Sequence, residues 1–339
     1  MNIGLVGICA LYWPHAMARG LAAIRGARLA AFATLGTPDR TIKDHLGMTS
    51  GQYAGKYNIK KYISVEDMLK GEKLDALILC TRHTEHAAWV KRLAGYGKPL
   101  YVLKTFATSM ADANRMVRLA RKHRLTIATG PSGRFLAPIA AAKKAVDAGK
   151  IGKPFSMRLM HHHGVIDGFG KKDWYRDKKE GGPEFSLGWY VLDLVLYFLG
   201  RGVNRITADY GNFTSPGSPF MDCGKLLVGF KNGTQASVDM YFCNRAGYPS
   251  WEMEVVGTNG VVSVKQQGDD PGKVQVKLFN RKGCTILPVP ARAVNWELFW
   301  VHDLMKNRKP ALDAEYGALL TRLSLAARKS AAEKRTVRV

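Results

Sequence analysis

Apolar residues in the first part of the chain fall in short, nearly continuous runs, Ile3 to Ile8, Leu29 to Ala33 and Ala76 to Cys80. Runs of this length without alternation predict strands buried on both faces. Between them, His15 to Ile24 and Thr84 to Gly95 carry apolar positions at helical spacing, and the helical stretch Met110 to His123 is bracketed by strands at Leu100 to Leu103 and Thr126 to Thr129. Strands alternating with amphipathic helices predict βαβ units, hence an α/β Rossmann domain with a doubly wound parallel sheet over residues 1–130.

The pattern changes beyond residue 131. A helix at Pro138 to Ala148 and a Gly-rich turn over 149–154 lead into a strand, Phe155 to His163. After the apolar helix Leu187 to Leu199, strands are predicted at Arg205 to Tyr210, Lys225 to Phe230, Thr234 to Phe242, Glu252 to Val256, Val261 to Lys265 and Gln275 to Phe279. Helices at Trp296 to Met305 and Tyr316 to Lys334 follow. This describes a C-terminal α+β domain, residues 131–339, with a largely antiparallel open sheet and helices on one face. Such a sheet leaves its other face to be covered, which predicts a homo-oligomer, most simply a dimer. In the strand Thr234 to Phe242, Ala236, Val238, Met240 and Phe242 alternate with Gln235, Ser237, Asp239 and Tyr241, so its polar side suits solvent equally well.

Composition narrows the class. The 339 residues, 46% hydrophobic and 23% charged, suffice for two packed domains. The apolar run at 187–199 is broken by Asp193 and is shorter than the roughly 20 residues that cross a bilayer, so no membrane association is expected. The start, Met1 to Gly7, reads as a strand rather than a leader, and a cytoplasmic location follows. Cys9, Cys80, Cys223, Cys243 and Cys284 show no C-x-x-C spacing and are expected to be reduced. The net charge of +24 is shared equally by the two halves, with no basic helix or zinc spacing to concentrate it. Nucleic acid is therefore not the expected partner, and a solvated basic surface or small anionic ligands account for the charge.

Some residue patterns carry chemistry. A strand running through a glycine into a helix places free backbone N–H groups where a dinucleotide's pyrophosphate binds, here at Gly7, Ile8, Cys9, Ala10, Leu11 and Tyr12. Of the G-x-G-x-x-G glycines only Gly7 is present; Cys9 and Tyr12 replace the others, and an ordinary strand-to-helix turn is the competing reading. Thr34 stands at the end of the second strand, where an acidic residue would bind the adenosine ribose. A 2′-phosphate is then not repelled. With Arg40, Lys43 and Arg82 nearby in the pattern, NADP is expected to bind no worse than NAD. On a strand, His161 and His163 share one face and His162 the other. A metal site completed by Asp167 or Asp173 is one reading and a polar sugar pocket is the favoured one; no metal is expected. Trp174 and Tyr175 suit stacking on a sugar ring or plain packing.

The order and spacing of landmarks across nearly the whole chain resemble the Gfo/Idh/MocA family of glucose-fructose oxidoreductases and inositol dehydrogenases. Leu74 to Thr81 with His86 resembles the family's T-P-x-x-x-H turn, with Arg82 for proline, and Leu103-Lys104-Thr105 stands for Glu-Lys-Pro. Gly133-Arg134-Phe135, the 149–154 turn, Glu254 to Gly260 and the final helix ending near Arg335 match further landmarks. Ser186 to Asp193 aligns with D-x-G-x-H-x-x-D, with Ser186 and Tyr190 replacing aspartate and histidine. The resemblance implies an NAD(P)-dependent oxidoreductase acting on a sugar, cyclitol or related polyol. It places Thr81, Arg82 and His86 with Thr34 and the 7–12 turn at the cofactor. Lys104 would then orient substrate and cofactor, Tyr190 would exchange the proton, and His161, His163, Trp174, Tyr175 and Ser186 would line the substrate pocket. The replaced glycines, Asp and His leave a second reading, a descendant that binds a small ligand or partner without catalysis.

Overall fold

The computed structural model describes residues 1–8, 10, 12–164, 174, 177–214, 221–244, 251–267, 273–290 and 298–339. The chain divides into two compact units, Met1–Pro131 with Glu297–Thr321, and Ser132–Trp296 with Arg322–Val339.

The first unit runs β1 (Asn2–Val6), α1 (Trp13–Ala22), β2 (Arg28–Ala33), α2 (Asp39–Leu46), α3 (Ser50–Tyr57), β3 (Lys60–Tyr62), α4 (Val65–Gly71), β4 (Ala76–Leu79), α5 (His86–Leu93), β5 (Leu100–Leu103), α6 (Met110–Lys122) and β6 (Ile127–Gly130). All six strands are parallel, in the order β3-β2-β1-β4-β5-β6. β4 and β5 are buried residue for residue, and β1 and β2 at all but their first residue, as their apolar runs require. Helix α6 shows how a crossover is specified: the Ser109 hydroxyl accepts from the Asp112 N–H at 3.1 Å, and Ala113, Met116 and Val117, at i, i+3 and i+4, form its buried stripe. The segment between β2 and β4 holds three short helices and β3, none of which the apolar pattern predicts.

The second unit runs α7 (Ala137–Asp147), β7 (Pro154–Gly164), α8 (Gly182–Leu199), β8 (Val203–Gly211), β9 (Cys223–Phe230), β10 (Gln235–Asn244), β11 (Trp251–Gly257), β12 (Gly260–Gln266), β13 (Val274–Asn280) and β14 (Gly283–Leu287). After α9 (Phe299–Met305), which lies in the first unit, helix α10 (Ala314–Glu333) and β15 (Val337–Arg338) complete the chain. The nine-stranded sheet has the order β14-β13-β12-β11-β7-β10-β9-β8-β15; β7 and β10 pair in parallel and the other neighbours antiparallel. Helix α8 starts at Gly182, five residues before the Leu187 expected from its apolar run, because Gly181 in a left-handed turn and a proline in the first helical turn form a start signal that hydrophobicity does not register.

The alternation in β10 resolves as its two-sided pattern allows. Ala236, Val238, Met240 and Phe242 are buried, and the Gln235, Ser237, Asp239 and Tyr241 side is the open one. Across this open face, residues directly opposite on neighbouring strands form ion pairs: Lys225 with Asp239 (2.6 Å), Arg158 with Glu254 (3.0 Å) and Lys265 with Glu252 (3.1 Å). No helix among the described residues is long and apolar enough to cross a membrane.

Candidate functional site

In the first unit, the candidate residues gather at the C-terminal edge of the parallel sheet, where ligands of open α/β sheets bind. Gly7 ends β1 with φ +82, and its N–H donates to the Ala33 carbonyl at 3.0 Å. A Cβ here would lie 2.8 Å from both the Cys80 carbonyl oxygen and Thr81 Cγ2, so only glycine fits between β1 and β4. Helix α1 then begins with no side-chain cap, a proline in its first turn and no acidic residue there, leaving the positive end of its dipole without an internal anion. These features fit a dinucleotide's pyrophosphate. Ile8 and Ala10 are buried, while Tyr12 is 46% exposed and tilted against the Trp13 ring, so the bulk at the third glycine position points outward. Cys9 and Leu11 lie outside the described residues.

Thr34, buried, follows β2, and Thr81, buried, follows β4. Arg82 is exposed. His86 is fully buried, and since a carbonyl only accepts, Nδ1–H donates to the Phe106 carbonyl at 3.1 Å. Burial holds the imidazole down at about 4, neutral at pH 7. Its side chain therefore anchors the segment after β5 rather than presenting a charge to a ligand. That segment carries Lys104, whose N–H bonds the Gly130 carbonyl as β5 leaves the sheet. Behind it, Phe106 fills the space over Gly317, where a Cβ would come within 2.6 Å of the ring, and the Thr321 hydroxyl, which donates to the Gly317 carbonyl at 2.9 Å, lies 3.4 Å from the Ala107 carbonyl. Lys104 is itself only 7% exposed, and burial draws its ammonium down from 10.5 to about 7. A lysine poised this way exchanges a proton near neutral pH.

In the second unit, β7, β11 and α8 bring aromatic and imidazole rings together. The β7–β11 register sets Trp251 opposite His161, and the two rings stack at 3.6 Å and 14°. Tyr190 of α8 meets both edge-on, at 5.7 Å from His161 and 6.2 Å from Trp251. His163 lies 6.3 Å from His161 and stacks on Phe242, whereas His162, on the opposite face, lies against Tyr241. Ser186 and Trp174 are buried. Tyr175, Asp167 and Asp173 lie outside the described residues. One turn beyond Tyr190, Asp193 is completely buried and forms a network in which the Arg134 guanidinium and the Ser132 hydroxyl both donate to its carboxylate.

Residues 1–130 match a family model described as an oxidoreductase family with an NAD-binding Rossmann fold, and residues 139–263 match the GFO/IDH/MocA C-terminal domain. The chain belongs to the Gfo/Idh/MocA oxidoreductase family. Its relatives include a myo-inositol 2-dehydrogenase of Thermotoga maritima, 24% identical over all of this chain and 98% of that protein. A D-apiose dehydrogenase of Rhizobium rhizogenes is 25% identical over 69% of this chain and 66% of its own length. Among solved structures, an Agrobacterium radiobacter oxidoreductase in complex with NAD+, L-tartaric acid and magnesium superposes with a TM-score of 0.83 at 22% identity, covering 100% of this chain and 98% of that one. A structure described as a putative NADPH-dependent oxidoreductase of Desulfitobacterium hafniense gives 0.85 at 19% identity, covering 99% and 97%. As a member of this family, the chain is an NAD-binding oxidoreductase with a Rossmann unit and a mixed, mostly antiparallel second sheet.

Two features of the site are not visible in the sequence alone. Trp251 falls one residue before the predicted strand, and only the β7–β11 register discloses its stacking on His161. Arg134 and Asp193 each belong to a family landmark, but nothing local links residues 59 apart in the chain.

Proposed function

We propose that the protein is an NAD(P)-dependent dehydrogenase or reductase of a sugar, cyclitol or related polyol, with Lys104 and Tyr190 as its proton-exchanging groups. The observation that carries this reading is the burial of Lys104 at the C-terminal edge of a Rossmann sheet, which brings its pKa to about 7. In the oxidative direction the substrate C–H leaves as hydride, its O–H proton passes to Lys104 or Tyr190, and a carbonyl remains; reduction reverses each transfer. The bound nicotinamide ring supplies the hydride acceptor or donor. Lys104 holds the proton at Nζ and Tyr190 at its phenolic oxygen. Trp251, half-buried and stacked on the His161 ring, offers an apolar ring face suited to the C–H face of a polyol ring. The dehydrogenase relatives named for inositol and apiose support that substrate class.

Titration of the purified protein with NADH and NADPH by calorimetry tests the cofactor. Micromolar or tighter binding of at least one is expected; binding of neither would favour the non-catalytic descendant instead. The widely spaced cysteines, with no C-x-x-C pair, suit a reducing compartment such as the cytoplasm.

We also propose a homodimer through the open face of the nine-stranded sheet. Cross-strand ion pairs neutralise Arg158, Lys225 and Lys265 within the face, which lowers the repulsion a second copy would meet, and Leu227, 61% exposed, and Ile286, 60% exposed, stand out as apolar side chains there. Light scattering should return twice 37.4 kDa; a mass of 37.4 kDa at micromolar concentration counts against it.

A further inference from the structure

Within the first unit, the turn after β2 is shaped without a carboxylate. The Thr37 N–H closes onto the Thr34 carbonyl at 3.1 Å, and the two residues between them, Leu35 (φ 58) and Gly36 (φ 74), are both left-handed. Leucine adopts that conformation at a cost, so the turn is held by its surroundings rather than by its own preference. The nearest acidic residue downstream is Asp39, and it is engaged elsewhere: its carboxylate accepts the Ser50 N–H at 2.9 Å. The bonds to Ser50 and the nearby Lys61 ammonium hold Asp39 below the usual carboxylate range, so it stays charged and turned to the start of α3.

Cations stand on the elements that follow β2 and β4. Arg40 and Lys43 are exposed, three residues apart on α2, and therefore share a helix face. Arg82 is exposed after β4, and because β2 and β4 flank β1 in a parallel sheet, their ends lie about 10 Å apart on the same edge. The other carboxylates on these elements, Asp44 and Glu85, form no ion pair with them: among the described residues Arg40, Lys43 and Arg82 all lack a carboxylate within 4.0 Å. An edge whose guanidinium groups have no carboxylate partner, and whose Asp39 is turned to Ser50, is matched to a dianion rather than to a ribose hydroxyl pair.

We propose that the protein selects NADP(H) over NAD(H), with Thr34 leaving room for the 2′-phosphate and Arg40 and Arg82 binding it. The proposal rests on the nicotinamide-cofactor reading above but concerns the adenosine end alone, so a fragment tests it without any turnover. Calorimetric titration of the full chain with 2′,5′-ADP and 5′-AMP, and with NADPH and NADH, should show each 2′-phosphorylated ligand binding at least about 10-fold more tightly than its partner. Arg40→Ala should remove about 10-fold of the affinity for 2′,5′-ADP and leave 5′-AMP within twofold. Thr34→Asp, which restores a carboxylate, should reverse the NADPH to NADH preference. Arg40 is exposed, so its variant tests the proposal even if Thr34→Asp does not fold. NADH binding as tightly as NADPH would overturn the NADP(H) assignment while leaving the dehydrogenase reading intact. Binding of neither dinucleotide would overturn both.

Discussion

Lys104→Met is expected to lower turnover by about 10² to 10⁴-fold while the fold persists, the range typical of a general acid or base. Methionine preserves the length and apolar stem of the side chain and removes only the titrating group. In the unaltered protein, oxidation should rise with pH through about 7, as Lys104 becomes able to accept a proton, and reduction should fall through the same value. Stability carries an independent signature. With the unfolded lysine at 10.5 and the folded one near 7, the unfolded chain binds the extra proton between those values, so Lys104 makes stability increase with pH across that window and contributes no slope below it. Urea melts at pH 6 and pH 9 should show that increment in the parent and its loss in Lys104→Met, which should also be the more stable of the two at pH 6. An unchanged pH slope in the variant would mean that burial does not depress this lysine. Tyr190→Phe keeps the ring against His161 and Trp251 and removes only the hydroxyl, and it should fall in the same range of lost turnover. If the two groups act as one proton-exchanging unit, the double variant will be little worse than the poorer single one; multiplied losses would show independent roles.

What the amino-acid pattern disclosed depended on how much apolar surface each element buries. The strands of the first sheet and the long helices α6 and α8 announce themselves because their buried residues recur over several turns or fill whole runs. The segment from residue 34 to 75 did not. Helices α2, α3 and α4 bury only Ile42 and Leu46, Ser50 and Tyr53, and Val65 and Met68, too few positions to establish a period, while β3 exposes Lys60 and Lys61. Their local signals were caps rather than stripes, namely the reciprocal Thr49–Gln52 capping box and the Ser64 cap of α4. At the edge of the second sheet, β14 exposes Gly283 to Ile286 and escaped for the same reason. In the candidate site, Gly7 was legible because a left-handed glycine between a strand and a helix is a local feature. The depressed Lys104 was not, since its chemistry comes from burial produced by packing remote in sequence. Likewise, the His161–Trp251 stack requires the register between β7 and β11, which no single segment encodes.

That dependence on long-range pairing is most severe at Asp193, and Asp193→Ala should destabilise the second unit by about 3–5 kcal/mol. The carboxylate is wholly buried and receives the Arg134 guanidinium and the Ser132 hydroxyl. Arg134 has a second neighbour in the Tyr197 ring, 4.7 Å from the guanidinium carbon, but a ring face cannot neutralise a buried cation as a carboxylate does. Removing Asp193 therefore leaves a buried guanidinium without its carboxylate, and the loss reflects that uncompensated charge more than the worth of the pair itself. Replacing both partners, in Arg134→Met/Asp193→Leu, should recover most of the stability, because the apolar pair leaves no ion unpaired. Urea unfolding of the single and double variants separates these terms, and a double variant as unstable as Asp193→Ala would show that the network is valued for hydrogen bonds that apolar side chains cannot replace. Tyr190 lies one turn before Asp193 on α8, on the same side of the helix, so the network also fixes the rotation at which the helix presents its phenol. The stable double variant should accordingly bind nucleotide in the first unit as the parent does yet turn over more slowly. Parental turnover in that variant would assign Arg134 and Asp193 to stability alone.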